Sequence, residues 1–203
     1  TIEKQMAIYL DKWKDIPSVC SLVDIIMPQL EAKVFKSYVN LEFLYIYRNK
    51  PAQKEESSWL WHYDDCPDEF LKLVIYLNDV TETNGCFQYL STEDEFYPKA
   101  KTNRVCPNHT GYPQVFPKSR IPEREIQKQI SKGCHLKSLT GPKGTYALMT
   151  PNIYHRATVP KNNDNPRDCM FFFIRPSLSK RPSYTKDTYL PSLNKNVKSY
   201  ALN

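Results

Sequence analysis

The sequence has 203 residues, enough for one domain with a sizeable core. Its 40% apolar and 13% aromatic content excludes a disordered chain, and six cysteines scattered without a CxxC pair exclude a small disulfide scaffold, pointing to reduced thiols in the cytoplasm. The net charge of +6 gathers largely in a C-terminal tail (Lys180, Arg181, Lys186, Lys195, Lys198), which reads as a solvated terminus and makes nucleic acid an unfavoured partner, while no apolar run reaches the roughly 18 residues of a membrane span.

Taken in chain order, residues 1–40 read as helices. Ile2, Met6, Tyr9, Leu10 and Trp13 recur at helical spacing, Pro17-Ser18 offers a break with a possible N-cap, and Pro28 should kink the next segment, Val19 to Val34. Leu41 to Tyr47 is strand-like and rich in aromatics. A polar loop leads to Trp59-Leu60-Trp61-His62-Tyr63-Asp64, where large apolar and polar residues alternate as on a half-buried strand. Phe70 to Leu77 is a nearly continuous apolar run suited to a central strand. A turn at Glu82 to Gly85 precedes a short strand, Cys86 to Leu90.

Residues 92–133 break this rhythm with charge, tyrosine and proline. Only Pro122 to Ser131 reads as helical there, and the segment has the character of a lid-like insertion. Strand signals resume at His135 to Leu139, turn at Gly141 to Gly144, and continue at Thr145 to Met149, Ile153 to Val159 and Cys169 to Ile174. Many short strands behind N-terminal helices predict a mainly β protein with flanking helices, rolled as a barrel or jelly roll rather than a βαβ sheet. The expected organisation is a single domain: helices over 1–40, a jelly roll over 41–177 containing the 92–133 insertion, and a basic tail over 178–203.

Residues two apart on a strand face the same way, so His62 and Asp64 offer an imidazole and a carboxylate side by side. A third ligand would complete the 2-His-1-carboxylate arrangement of non-haem Fe(II) sites. His-x-Asp alone is a weak signal, because one such triplet easily arises among 22 acidic residues. His155, in a strand-like segment, and Arg167, at the head of the last apolar strand, are distant in sequence. A jelly roll can nonetheless bring both to the same cavity.

With these residues in place, the sequence resembles the phytanoyl-CoA dioxygenase-like branch of the Fe(II)/2-oxoglutarate-dependent oxygenases. The likeness rests on His62-Tyr63-Asp64, on Leu73 to Val80, on Asn84 to Leu90, on Gly141 to Thr145, on His155-Arg156 and on Arg167, and covers roughly 41–176. One departure is Leu90-Ser91-Thr92-Glu93, which stands where the family has a PGSH motif. The resemblance implies a double-stranded β-helix in which His62, Asp64 and His155 hold Fe(II). It implies that Arg167 binds the distal carboxylate of 2-oxoglutarate, in keeping with the two-pronged pairing a guanidinium offers. The implied reaction consumes O2 and 2-oxoglutarate, releases succinate and CO2, and hydroxylates a substrate, expected to be a small molecule. A carboxylate at position 64 favours hydroxylation over halogenation, for which the family has Ala or Gly there.

Several alternatives compete with this reading. Arg156 neighbours His155 on a strand and should point away from the cavity, and Arg175 lies deeper in the last strand. Tyr45, Tyr47, Tyr63 and Tyr76 read as packed barrel tyrosines. Cys106, His109, Cys134 and His135 lack the paired knuckles of structural zinc. No GxSxG elbow or phosphate loop is present. A non-catalytic jelly-roll binding module and a cupin-type metalloenzyme without 2-oxoglutarate remain the rival classes. Substrate identity and oligomeric state are not legible in the sequence.

Overall fold

The computed structural model describes residues 5–8, 10–92, 119–161, 165–181 and 183. Among these residues, eight strands and two α-helices follow in the order β1 (Gln5–Ile8), α1 (Pro17–Leu30), β2 (Tyr38–Asn49), β3 (Leu71–Tyr76), β4 (Phe87–Ser91), α2 (Glu123–Ser131), β5 (His135–Leu139), β6 (Tyr146–Met149), β7 (His155–Ala157) and β8 (Arg167–Ser177). The strands form a five-stranded sheet in the order β1-β2-β8-β3-β6 and a three-stranded sheet in the order β5-β4-β7. This is the jelly roll expected from the sequence. Two compact units share the chain: Thr1–Leu10 with Leu41–Arg175, and Asp11–Asn40 with Pro176–Asn203.

The sheet unit is built around β3. Leu71 to Tyr76 pairs antiparallel with β8 on one side and β6 on the other, which suits its apolar run. Val74 and Tyr76 of β3 join Cys169, Phe171 and Phe173 of β8 and Phe87 of β4 in one buried cluster, with Tyr45 and Tyr47 of β2 packed against it. Tyr76 ties the two sheets together: its hydroxyl donates to the Leu139 carbonyl at 2.8 Å and accepts from the Phe87 amide at 3.0 Å. Gly85 makes the turn before β4 at φ +93°, and a Cβ there would lie 2.9 Å from both Asn49 Nδ2 and Pro160 Cγ.

Three local expectations are corrected. Residues 5–8 are a strand, paired with β2 from Gln5↔Asn49 to Ile8↔Ile46, rather than part of a front helix. In α1 the N-cap is Ile16, with no side-chain cap, and Pro17 opens the helix where its missing N–H costs nothing. The helix passes through Pro28 to Leu30 and gives way to a wider π turn at Glu31–Phe35, which Lys36 ends at φ 54°. The third correction is β7, which spans only His155–Ala157 within the predicted Ile153 to Val159 strand. The helix expected after Pro122 is present, with Glu123 and Glu125 in its first turn. Residues 93–118 of the insertion and all but the first few residues of the basic tail lie outside the described residues. Within the second unit, Arg181 and Ser183 both bond the Asp24 carboxylate, at 2.6 and 2.7 Å.

Candidate metal centre

The stretch that alternates so regularly in sequence is not a regular strand. Ser57–Trp59 is a single 3-10 turn, and Asp65 at φ 53° ends the segment. Between them the backbone is held as one rung between two neighbours. His62 N–H donates to the His155 carbonyl at 2.9 Å and His155 N–H returns the bond at 3.0 Å. On the other side Ile121 N–H reaches the Trp61 carbonyl and Tyr63 N–H the Ser119 carbonyl. A mutually bonded antiparallel pair sets its two side chains opposite each other. The imidazoles of His62 and His155 accordingly lie 4.3 Å apart between ring centroids.

Asp64, two residues on, faces the same space. One donor atom from each of His62, Asp64 and His155 falls within a 4.8 Å span. His62 Nε2 is 3.7 Å from Asp64 Oδ1, and His155 Nε2 is 3.6 Å from Asp64 Oδ2. Each imidazole also has its second nitrogen committed: His62 Nδ1 to the Leu60 carbonyl and His155 Nδ1 to the Ile153 carbonyl, both at 2.8 Å. Those bonds require Nδ1 to carry the proton, so both Nε2 lone pairs point at the shared space, the arrangement that orients metal-ligating histidines. These donors fit a divalent metal with open coordination positions.

Burial keeps both imidazoles neutral. It pushes His62 down to about 4, despite the opposing pull of Asp64, and His155 well below its usual value. Burial alone would raise the Asp64 carboxyl, but the charge of the Lys72 ammonium, aided by its hydrogen bond, leads the effects that outweigh it and hold the carboxyl far below the usual range. An unfolded histidine titrates near 6.5, so between that pH and 4 the unfolded chain takes up protons that the folded His62 refuses. The metal-free protein should therefore lose stability as pH falls through that window, by on the order of 3 kcal/mol from His62 alone. Chemical denaturation of chelated protein at pH 7 and pH 4.5 measures it, and a flat profile would contradict the burial described.

A loop clamp fixes the relation between the ligand-bearing segments. The fully buried Asn152 accepts from Cys66 N–H at 3.1 Å through Oδ1, and its Nδ2 donates to the Cys66 carbonyl at 2.7 Å and to Asp68 at 3.2 Å. Asp64 N–H adds a bond to the Pro151 carbonyl at 3.0 Å. Asn152→Ala should cost about 2–3 kcal/mol in a urea melt and weaken divalent-metal binding roughly ten-fold or more. Nothing in the letters Pro151-Asn152 says that both ends of the amide are used.

The cavity beside the triad is lined by Lys72 and Arg167 as well as the three ligand candidates, with Tyr45, Tyr47, Phe87, Phe171 and Phe173 as walls. Arg167 is fully buried. Its Nη2 donates to the Tyr47 hydroxyl at 2.9 Å, while Nε and Nη1 have no partner. The two other arginines considered are committed elsewhere. Arg156 donates to Gln88 at 2.9 Å and lies 4.8 Å over Trp61, and Arg175 pairs with Glu42 at 2.8 Å. Among the tyrosines, burial pushes Tyr76 up to about 12 and raises Tyr47 further, so both stay protonated. Among the described residues, His62, Asp64 and His155 are the one group arranged to hold a metal; Cys134 is buried and His135 exposed, while Cys106 and His109 lie outside the described residues. Lys72 went unnoticed in the sequence. Its ammonium lies 2.7 Å from Asp64 Oδ2 and 3.3 Å from His155 Nε2.

No family model matches the chain. L-proline trans-4-hydroxylase of Streptomyces griseoviridis is 24% identical over 161 residues, covering 70% of this chain and 58% of the hydroxylase. Among solved structures, EctD from S. alaskensis with 2-oxoglutarate and 5-hydroxyectoine superposes with a TM-score of 0.59 at 16% identity, over 91% of this chain and 61% of EctD. EctD with bound Fe gives a TM-score of 0.60 at 16% identity, over 88% and 62%. The non-heme alpha ketoglutarate dependent carbocyclase SnoK from nogalamycin biosynthesis gives 0.54 at 14% identity, over 85% and 62%. The chain thus spans about three-fifths of the length of these relatives, and shares with the solved ones the jelly-roll fold of the Fe(II)/2-oxoglutarate oxygenases.

Proposed function

We propose that this chain, built on the jelly-roll fold of the Fe(II)/2-oxoglutarate-dependent oxygenases, is itself such an oxygenase and hydroxylates a small-molecule substrate. One observation carries the reading: two imidazoles with committed Nδ1 protons and one carboxylate share a 4.8 Å span beside a buried guanidinium with two unpartnered nitrogens. The guanidinium half is costly without a ligand and satisfied with one. His62, Asp64 and His155 are assigned to Fe(II), and Arg167 to the distal carboxylate of 2-oxoglutarate. The L-proline hydroxylase and EctD support a small-molecule substrate, and the motif order supports the phytanoyl-CoA dioxygenase-like branch.

With both groups bound, Fe(II) and 2-oxoglutarate supply the O2 activation and the decarboxylation to succinate and CO2. The chain's residues do the rest by position. The Leu60 and Ile153 carbonyls hold the imidazole tautomers, and Asp64 stays ionised at any physiological pH. Arg167, anchored by Tyr47, presents a planar fork to a carboxylate. Phe87, Phe171 and Phe173 give the cavity apolar walls.

The organisation expected from the sequence, a catalytic jelly roll with a lid-like 92–133 insertion and a basic tail over 178–203, accompanies this assignment. The buried thiols Cys20, Cys86, Cys134 and Cys169 suit a reducing compartment such as the cytoplasm. No described helix is long and apolar enough to cross a membrane. The test is succinate formation from 2-oxoglutarate with Fe(II), O2 and ascorbate. Slow substrate-independent turnover is expected, abolished by chelation. A protein that binds Fe(II) yet never yields succinate is instead the binding module, and one active without 2-oxoglutarate is the cupin-type enzyme.

A further inference from the structure

Lys72 is a second buried cation in the cavity, and the fold gives it no other place to be. It is the second residue of β3, opposite Phe173 on one side and Met149 on the other, and is only 6% exposed. Its ammonium lies 4.9 and 5.2 Å from the ring centroids of Phe171 and Phe173. Its anionic partner is Asp64, at 2.7 Å. Asp64 is also the only acid among the described residues lining the cavity.

Under the function proposed above, on which this inference rests, Asp64 is claimed by a divalent metal. Lys72 then shares that carboxylate with the metal and stands beside a like charge. The cavity's charge does not close either. Lys72 and Arg167 against Asp64 leave one positive charge in excess. A divalent ion raises the excess to three, and a dianionic 2-oxo acid brings it back to one. Buried charges without partners are costly. The remaining charge calls for one more anion, delivered with the substrate.

We infer that the substrate is a small carboxylic acid, and that the Lys72 ammonium receives its carboxylate. The aromatic rings beneath the ammonium offer the acid's carbon skeleton an apolar surface. Arg120, bridged to His62 through the backbone, adds a part-buried guanidinium on the same rung.

The experiment uses the full chain loaded with Mn(II) and N-oxalylglycine, an inert dianionic stand-in for 2-oxoglutarate. Small amino and imino acids, proline among them, are titrated by calorimetry beside their carboxamides. At least one acid should bind, and its amide should bind at least thirty-fold more weakly. K72M, which keeps the buried stem, should weaken the acid thirty-fold or more and N-oxalylglycine less than three-fold, and K72R should recover part of the loss. Equal binding of acid and amide, binding of no acid, or loss of acid binding in R120Q but not in K72M overturns the inference. K72M that weakens N-oxalylglycine and spares the acid overturns it too, by assigning Lys72 to the cosubstrate. The acid–amide comparison needs no variant, so misfolding of K72M cannot shelter the idea. A wild-type chain that binds Mn(II) but not N-oxalylglycine overturns the oxygenase reading instead.

Discussion

Asp64→Asn should remove divalent-metal binding and, separately, destabilise the metal-free protein. The first effect follows from the donor set: an amide is a poor substitute for the one anionic ligand between two neutral imidazoles, and succinate formation should fall by a factor on the order of a thousand or more. The second follows from Lys72, whose buried ammonium has Asp64 as its salt-bridge partner at 2.7 Å. Breaking a buried pair by removing one partner costs about 3–5 kcal/mol, because the other charge is left uncompensated. Lys72→Met in the same background should restore most of that stability and none of the metal binding. The double-mutant cycle therefore separates the two roles of one carboxylate. A metal-free Asp64→Asn protein that melts with the wild type would show that the ammonium finds water or another acceptor once the carboxylate is gone.

What the sequence made legible followed from local period and composition. Leu71 to Tyr76 and Arg167 to Ser177 were readable because central strands are buried on both faces and their apolar runs say so. The helix Glu123–Ser131 was readable from Pro122 and the acids of its first turn. The short strand Gln5–Ile8 was not, because its apolar residues also fit a helical period and its identity is decided by pairing with the remote end of β2. The same holds at the site. His62 and Asp64 were found through an expected strand and face one side as anticipated, but the backbone reaches that result through isolated bridges to His155 and Arg120. Lys72 was passed over as one polar letter in an apolar run. Its meaning depends on which face of β3 turns inward, and only the register Lys72↔Phe173 fixes that.

Arg167→Met should behave in the opposite way to Asp64→Asn. Arg167 is fully buried, with Nε and Nη1 unpartnered, so the metal- and cosubstrate-free protein carries the cost of a guanidinium whose hydrogen-bonding capacity is only partly used. Replacing even a paired set of buried charges with apolar side chains of similar volume is often neutral or stabilising, by about 1–4 kcal/mol, and Arg167 has no ion-pair partner among the described residues to lose. The melting temperature of the chelated protein should therefore hold or rise, with the loss of the 2.9 Å bond to Tyr47 as the opposing contribution. Binding of 2-oxoglutarate should suffer instead. A buried carboxylate deprived of a two-pronged guanidinium loses roughly 3 kcal/mol, which raises the KM for 2-oxoglutarate about a hundred-fold. Divalent-metal affinity should change little, since Arg167 bonds none of the three ligand side chains. Saturating 2-oxoglutarate should then restore only part of the rate, because a thioether side chain at this position would still admit the cosubstrate but could not orient it. A variant with wild-type KM would transfer the carboxylate to another cation, with Lys72 the nearest in kind, and would leave the stored cost at Arg167 without a purpose.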